Sequence, residues 1–164
     1  MKQICIGFVA LLLFGGVELC AASPLDEVNV KVERIDKRIE NGDKTLPSLE
    51  TSYDFKDTTE GVPPKMSFFF DIETKKLLAC FVWVGHETWS RKFAYYFDDR
   101  EELMKYMEII PPPNLGVSPS RKAIIYGEKG KVLWENHGGH PRQEPEMIKA
   151  LYQALQKAGD EFAP

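Results

Sequence analysis

Cysteine is scarce in this chain of 164 residues: there are three, Cys5, Cys20 and Cys80. No two are spaced as Cys-x-x-Cys, which excludes a disulfide scaffold and a zinc ribbon as readings. An excess of positive charge is also missing. With 21 Lys+Arg against 25 Asp+Glu the net charge is −4, which argues against a dedicated nucleic-acid binder and its basic face. There is no Gly-rich phosphate loop and no dinucleotide fingerprint. Ser90 lacks the Gly-x-Ser-x-Gly setting of a hydrolase nucleophile. The longest apolar run, Ile4 to Val17, is about 14 residues, short of the ~20 that span a bilayer.

What is present is an ordinary globular composition, 43% hydrophobic and 12% aromatic, of a length that suits one domain. Residues Met1–Ala22 read as an export signal. Lys2 gives a short positive start, the apolar run follows, and Cys20-Ala21-Ala22 sets small residues before a cleavage point. Leu19 before Cys20 speaks against a lipoprotein signal. Cleavage after Ala22 leaves residues 23–164 as a single α+β domain with no membrane span. Lys2 and Glu18 leave together, so the charge stays at −4. Cys80 is then the only cysteine, and a disulfide within the chain is impossible. Stability must come from a hydrophobic core, which a domain of this size can build.

Leu25, Val28, Val32, Ile35 and Ile39 repeat at helical spacing and predict an amphipathic helix stopped by Asn41-Gly42. From Asp43 to Pro64 the composition turns polar and Pro-containing, which predicts an irregular connection pinned by Leu46, Leu49, Tyr53 and Phe55. Most aromatic residues fall between Phe68 and Tyr106, a density that favours strands. A weak repeat runs through this region. Phe68–Asp71, Tyr95–Asp98 and Ile124–Gly127 are each followed by a charged turn and a second apolar pair. Each unit reads as a β-hairpin, and Gly130 marks the clearest turn. Three hairpins make a meander of about six antiparallel strands, with the two helices as cover for a face. Pro111-Pro112-Pro113 interrupts the meander, and Pro145 opens a C-terminal helix with Met147, Ile148, Leu151 and Leu155 on its apolar face.

The Tyr-Tyr-Phe-Asp strand and its two counterparts resemble a pattern in small exported bacterial proteins that combine a signal peptide, an N-terminal helix and an antiparallel β-meander. The resemblance runs from about Leu25 to Glu135. It implies a fold and a compartment, periplasmic or secreted, and it carries over no catalytic residue. A thioredoxin-like α/β fold is the alternative: Val117-Ser118-Pro119, the hairpin Lys122–Trp134, Gly138-Gly139 and a helix are similar to the second half of a thioredoxin. The redox cysteine pair of that fold is absent.

Two stretches carry polar side chains suited to chemistry. Glu135, His137 and His140 offer a carboxylate and two imidazoles to a zinc or copper ion, although spacing fixes no further ligand. His86 and Glu87 lie beside Trp89 in a polar turn, a contact surface or a poised imidazole. The aromatic set Phe69, Trp83, Trp89, Phe93, Tyr95, Tyr96 and Tyr106 either packs into the core or leaves an exposed face that binds a partner. The candidate contact residues are therefore Trp89, His86, Glu87, Tyr95 and Trp134. The expectation is an exported, non-enzymatic module that binds a protein or peptide, in the manner of a periplasmic inhibitor or immunity factor. The alternatives are a metal-binding protein using His137 and His140, and a structural component of the envelope.

Overall fold

The computed structural model describes residues 22–52, 64–86, 89–110, 120–136, 141 and 145–161. The first helix, α1 (Pro24–Glu40), begins where local chemistry directs it. Ser23 Oγ accepts from the Asp26 N–H, Pro24 occupies the first turn, and Asp26 and Glu27 meet the positive end of the helix dipole. It ends as the Asn41-Gly42 pair predicts. Gly42 takes φ +62, its N–H reaches the Ile39 carbonyl, and the Asp43 N–H reaches that of Arg38.

Seven strands follow: β1 (Ser48–Ser52), β2 (Lys65–Phe70), β3 (Leu77–His86), β4 (Trp89–Phe97), β5 (Leu103–Ile110), β6 (Ser120–Tyr126) and β7 (Val132–Asn136). The helix α2 (Pro145–Glu161) closes the chain. The strands form one sheet in sequence order, every pair antiparallel. This is the predicted α+β meander between two helices. The thioredoxin-like alternative is excluded, because that fold needs parallel neighbours joined by a crossover.

One strand is additional. β1 lies inside the stretch expected to be irregular. Its sequence, Ser-Leu-Glu-Thr-Ser, has one apolar side chain, Leu49, which packs on the core. The ladder with β2 stabilises β1, and no apolar alternation announces an edge strand of this kind.

The repeat seen in the sequence is a repeat of structure. In each hairpin the first strand ends on a paired aromatic residue, Phe70, Phe97 or Tyr126. The second strand then carries one extra residue with no Cα partner, Leu78, Met104 or Leu133, so each unit holds a β-bulge at one place. The turns match as well. Lys75, Glu101 and Lys129 all adopt φ +58, and Gly130 continues at φ +71. Asp71 Oδ1 accepts from the N–H groups of Glu73 and Thr74, and Asp98 Oδ1 from those of Arg100 and Glu102.

The helices cover opposite faces, one each, instead of sharing a single face. Strand alternation sends Phe93, Tyr95 and Phe97 to one side, where they pack with Phe68, Tyr106, Ile124 and the α2 residues Ile148 and Tyr152. It sends Ala94 and Tyr96 to the other, where they meet Ala79, Phe81 and Met104 beneath Val32 and Ile35 of α1. Small and large residues are paired across strands under α1, Ala79 with Tyr96 and Phe81 with Ala94. Each large side chain fully buried in this way contributes ~1.5–3 kcal/mol. Cys80 is wholly buried in the core on the α2 side, which removes it from any bridge between folded chains.

Candidate functional site

The α1 side of the sheet is packed at its centre and opens toward β7. The equivalent positions of the three hairpins show the gradient. Ala79 is fully buried, Lys105 is half-buried and Trp134 is 42% exposed. Register places these side chains in rows across the strands. Lys105, Ile125 and Trp134 form one row, and Met107, Ala123 and Asn136 the next. Ile109 and Arg121 form a third. Ala123 is the smallest of them and forms the floor of a hollow. Leu25 and Asn29 of α1 stand beside it, closing a groove of about 320 Å³.

The groove has an apolar floor and a polar rim of one sign. Among the described residues its charged lining side chains are Lys105 and Arg121, with no carboxylate. Lys105 Nζ donates to Asn29 Oδ1 at 3.2 Å, which ties the ammonium to α1. Burial pushes its pKa down, Asp36 opposes that shift, and Arg121 adds to it. Asn136 is occupied by the backbone. Its Oδ1 accepts from the Ala123 N–H at 2.5 Å and its Nδ2 donates to the Arg121 carbonyl at 3.1 Å. That double contact holds the end of β6 against β7 and so sets where Arg121 leaves the sheet.

Beside the groove, under the C-terminal half of α1, lies a half-buried charge cluster. The Tyr96 hydroxyl donates to Asp36 Oδ1 at 2.8 Å. Burial raises the Asp36 carboxyl above its usual range, against the hydrogen bond from Tyr96 and the attraction of Lys92 and Lys105. Burial, followed by the negative charge of Asp36, raises the Tyr96 phenol. Lys92 Nζ sits 3.8 Å from the Phe81 ring centroid and 5.4 Å from that of Trp83, a cation–π contact on the apolar surface that desolvates it. Each group in the cluster has a partner within the fold, so it serves the docking of α1.

The residues anticipated from sequence separate. Trp134 lies at the groove, exposed. Tyr95 is fully buried beneath α2 and packs on Tyr106, with ring centroids 5.1 Å apart. His86 and Trp89 are paired across β3 and β4 at the tip of that hairpin, and their side chains lie outside the described residues, as does all of Glu87. His137 and His140 also lie outside them. Glu135 is exposed on β7, opposite Ile124 and so on the α2 side. Among the described residues no three His, Cys, Asp or Glu side chains are grouped to hold a metal ion. The aromatic set does not form one exposed face. Phe93, Tyr95 and Tyr106 belong to the α2 core, while Phe69, Trp83 and Tyr96 belong to the α1 side.

Sequence reading missed Asn29, Lys105, Arg121 and Ala123. One signal was available: aligning the three hairpins puts Ala79, Lys105 and Trp134 in register, an apolar-to-polar drift on one face. No family model, curated protein or solved structure matches the chain. Among the described residues no helix is long and apolar enough to cross a membrane.

Proposed function

We propose that this chain is an exported, non-enzymatic binding module whose partner is a protein or peptide. The observation that carries this reading is Trp134, 42% exposed beside an apolar groove, in a domain whose other described aromatic side chains are mostly buried. Tryptophan and arginine are the side chains most enriched where binding energy concentrates, and Arg121 shares the groove. Export rests on the reading of Met1–Ala22 as a signal, and it places the partner in the periplasm or the medium.

A photo-crosslinking amino acid at position 134, introduced into the chain in its own cell, tests the reading. The expected result is one discrete adduct of constant mass, recovered from the envelope or medium. The same label on the exposed turn at Lys129 gives none. Equal and diffuse labelling from both positions overturns the reading. Mass analysis of the exported product is expected to show a chain beginning at Ser23.

A further inference from the structure

Building on that reading, we propose that the groove between α1 and β5–β7 binds an extended acidic segment of the partner, with an apolar side chain seated over Ala123 and carboxylates on Arg121 and Lys105. The argument starts from charge. Among the described residues the groove presents two cations and no carboxylate. Elsewhere the chain neutralises several of its own cations: Lys37 pairs with Glu33, Arg38 with Asp43, and Arg91 and Lys122 with Glu108. Arg121 makes no such pair among the described residues. A guanidinium is also the side chain that best matches a carboxylate in two-pronged geometry.

Spacing sharpens the expected ligand. Lys105 is opposite Ile125, and Arg121 is four residues further back along β6. At ~3.3 Å per residue the two rows stand roughly 13 Å apart along the strand direction. Ala123, the floor, lies midway between them. A segment running along β6 in extended form therefore meets the cations with residues i and i+4, and the hollow with residue i+2. The pattern is acidic, any, apolar, any, acidic. In a helical segment i and i+4 stand only ~6 Å apart, so the acidic, any, apolar, any, acidic pattern matches the two rows only in extended form.

Other occupants fit less well. An enclosed small-molecule site buries most of its ligand, whereas this groove is open beside an exposed Trp134. A second copy of the chain would bring Lys105 and Arg121 against the same two cations across a two-fold axis. Nucleic acid meets a chain of net charge −4.

The test uses the processed chain, labelled for amide NMR, and a synthetic peptide with the core Glu-Ala-Phe-Ala-Glu flanked by glycines. Two comparison peptides replace both Glu by Lys, or Phe by Ser. The Glu-Phe peptide is expected to shift the amides of Ala123, Asn136 and Asn29 and the indole of Trp134, and to bind more weakly as salt rises. The Lys and Ser peptides are expected to bind at least ~10-fold more weakly. Arg121→Glu should reverse the preference toward the Lys peptide, and Trp134→Ala should weaken binding ~10-fold or more. Both side chains are exposed, so the fold survives, which unchanged thermal unfolding verifies. Val132→Ser, on the opposite face, should change nothing.

The proposal is overturned if the Lys peptide binds as well as the Glu peptide, or if Arg121→Glu leaves the preference unchanged. Shifts mapping away from the groove overturn it too, as does a dimer in sedimentation that buries Trp134. If no peptide binds while the adduct at position 134 still forms, this inference fails and the binding-module reading stands. If the adduct is absent and the Glu-Phe peptide binds as described, the groove chemistry stands and the natural-partner reading fails.

Discussion

The Tyr96 hydroxyl, on the central strand β4, donates a 2.8 Å hydrogen bond to Asp36 of α1. It joins the C-terminal half of the helix to the central strand of the sheet through the one acidic side chain α1 sets against that core. Asp36→Ala leaves a phenol that is 2% exposed without its acceptor and should cost ~1–3 kcal/mol. Asp36→Asn keeps an acceptor and removes a charge that burial disfavours. At pH 7 it should be as stable as the parent or more so. The sign follows from linkage. The folded carboxyl titrates above its unfolded value, so the native state holds the extra proton, and this group's contribution falls as pH rises through that window. Urea unfolding across pH 4 to 8, on parent and Asp36→Asn, measures the difference.

Asp43 works in the opposite direction. A hydrogen bond from Arg38, then those from the Thr45 N–H and hydroxyl, lower its pKa from 3.8 to about 2. Its contribution is present above the unfolded value and is lost as pH falls from 3.8 toward 2. Arg38→Gln should weaken this acid-labile part, seen as a smaller fall in unfolding midpoint between those pH values.

Tyr152 anchors α2 to the first hairpin turn. Its ring lies on Phe68 and Phe70, and its hydroxyl donates to the Lys75 carbonyl at 2.8 Å, with Gln156 Nε2 on the same oxygen pair. Tyr152→Phe should cost ~1 kcal/mol, the net value of one hydrogen bond. Tyr152→Ala should cost ~3–5 kcal/mol, because it also opens a cavity. Chemical denaturation of both variants separates the polar part from the packing part.

The last hairpin turn holds Lys129 at φ +58, an exposed non-glycine residue in the left-handed region. Lys129→Gly relieves a strain of ~1 kcal/mol, partly offset by the entropy of glycine, and should raise stability slightly. Lys129→Pro cannot adopt that angle and should lower it by well over ~1 kcal/mol. Thermal unfolding of the pair checks the sign of each change.

Cys80 is fully buried in the α2-side core, and burial pushes its thiol far up. In the processed native chain it should resist a thiol reagent at pH 8 for hours, then react fully once denaturant is added. Fast reaction in the native state would contradict the burial.

Elements whose own side chains alternate or repeat could be read locally. The stripe from Leu25 to Ile39, the aromatic strands and the three charged turns carry their periods within short windows, so both helices and all three hairpins were legible. β1 was not, because its stability comes from β2 and its own residues are mostly polar. The binding residues divided in the same way. Trp134 could be suspected alone, as a large ring in the last strand. Tyr95 was no different in sequence and proved to be core, because the parity of β4 turns it toward α2.

The sequence by itself determined the α+β class, the antiparallel hairpins and the lack of any internal disulfide in residues 23–164, since each follows from local pattern or from counting. Only the tertiary structure decided which helix covers which face, and therefore which rings are buried. It alone brings Asn29, Lys105, Arg121 and Trp134 to one groove. They stand on four elements, and their meeting depends on strand register and on the path of α1, two long-range properties that no short window of sequence contains.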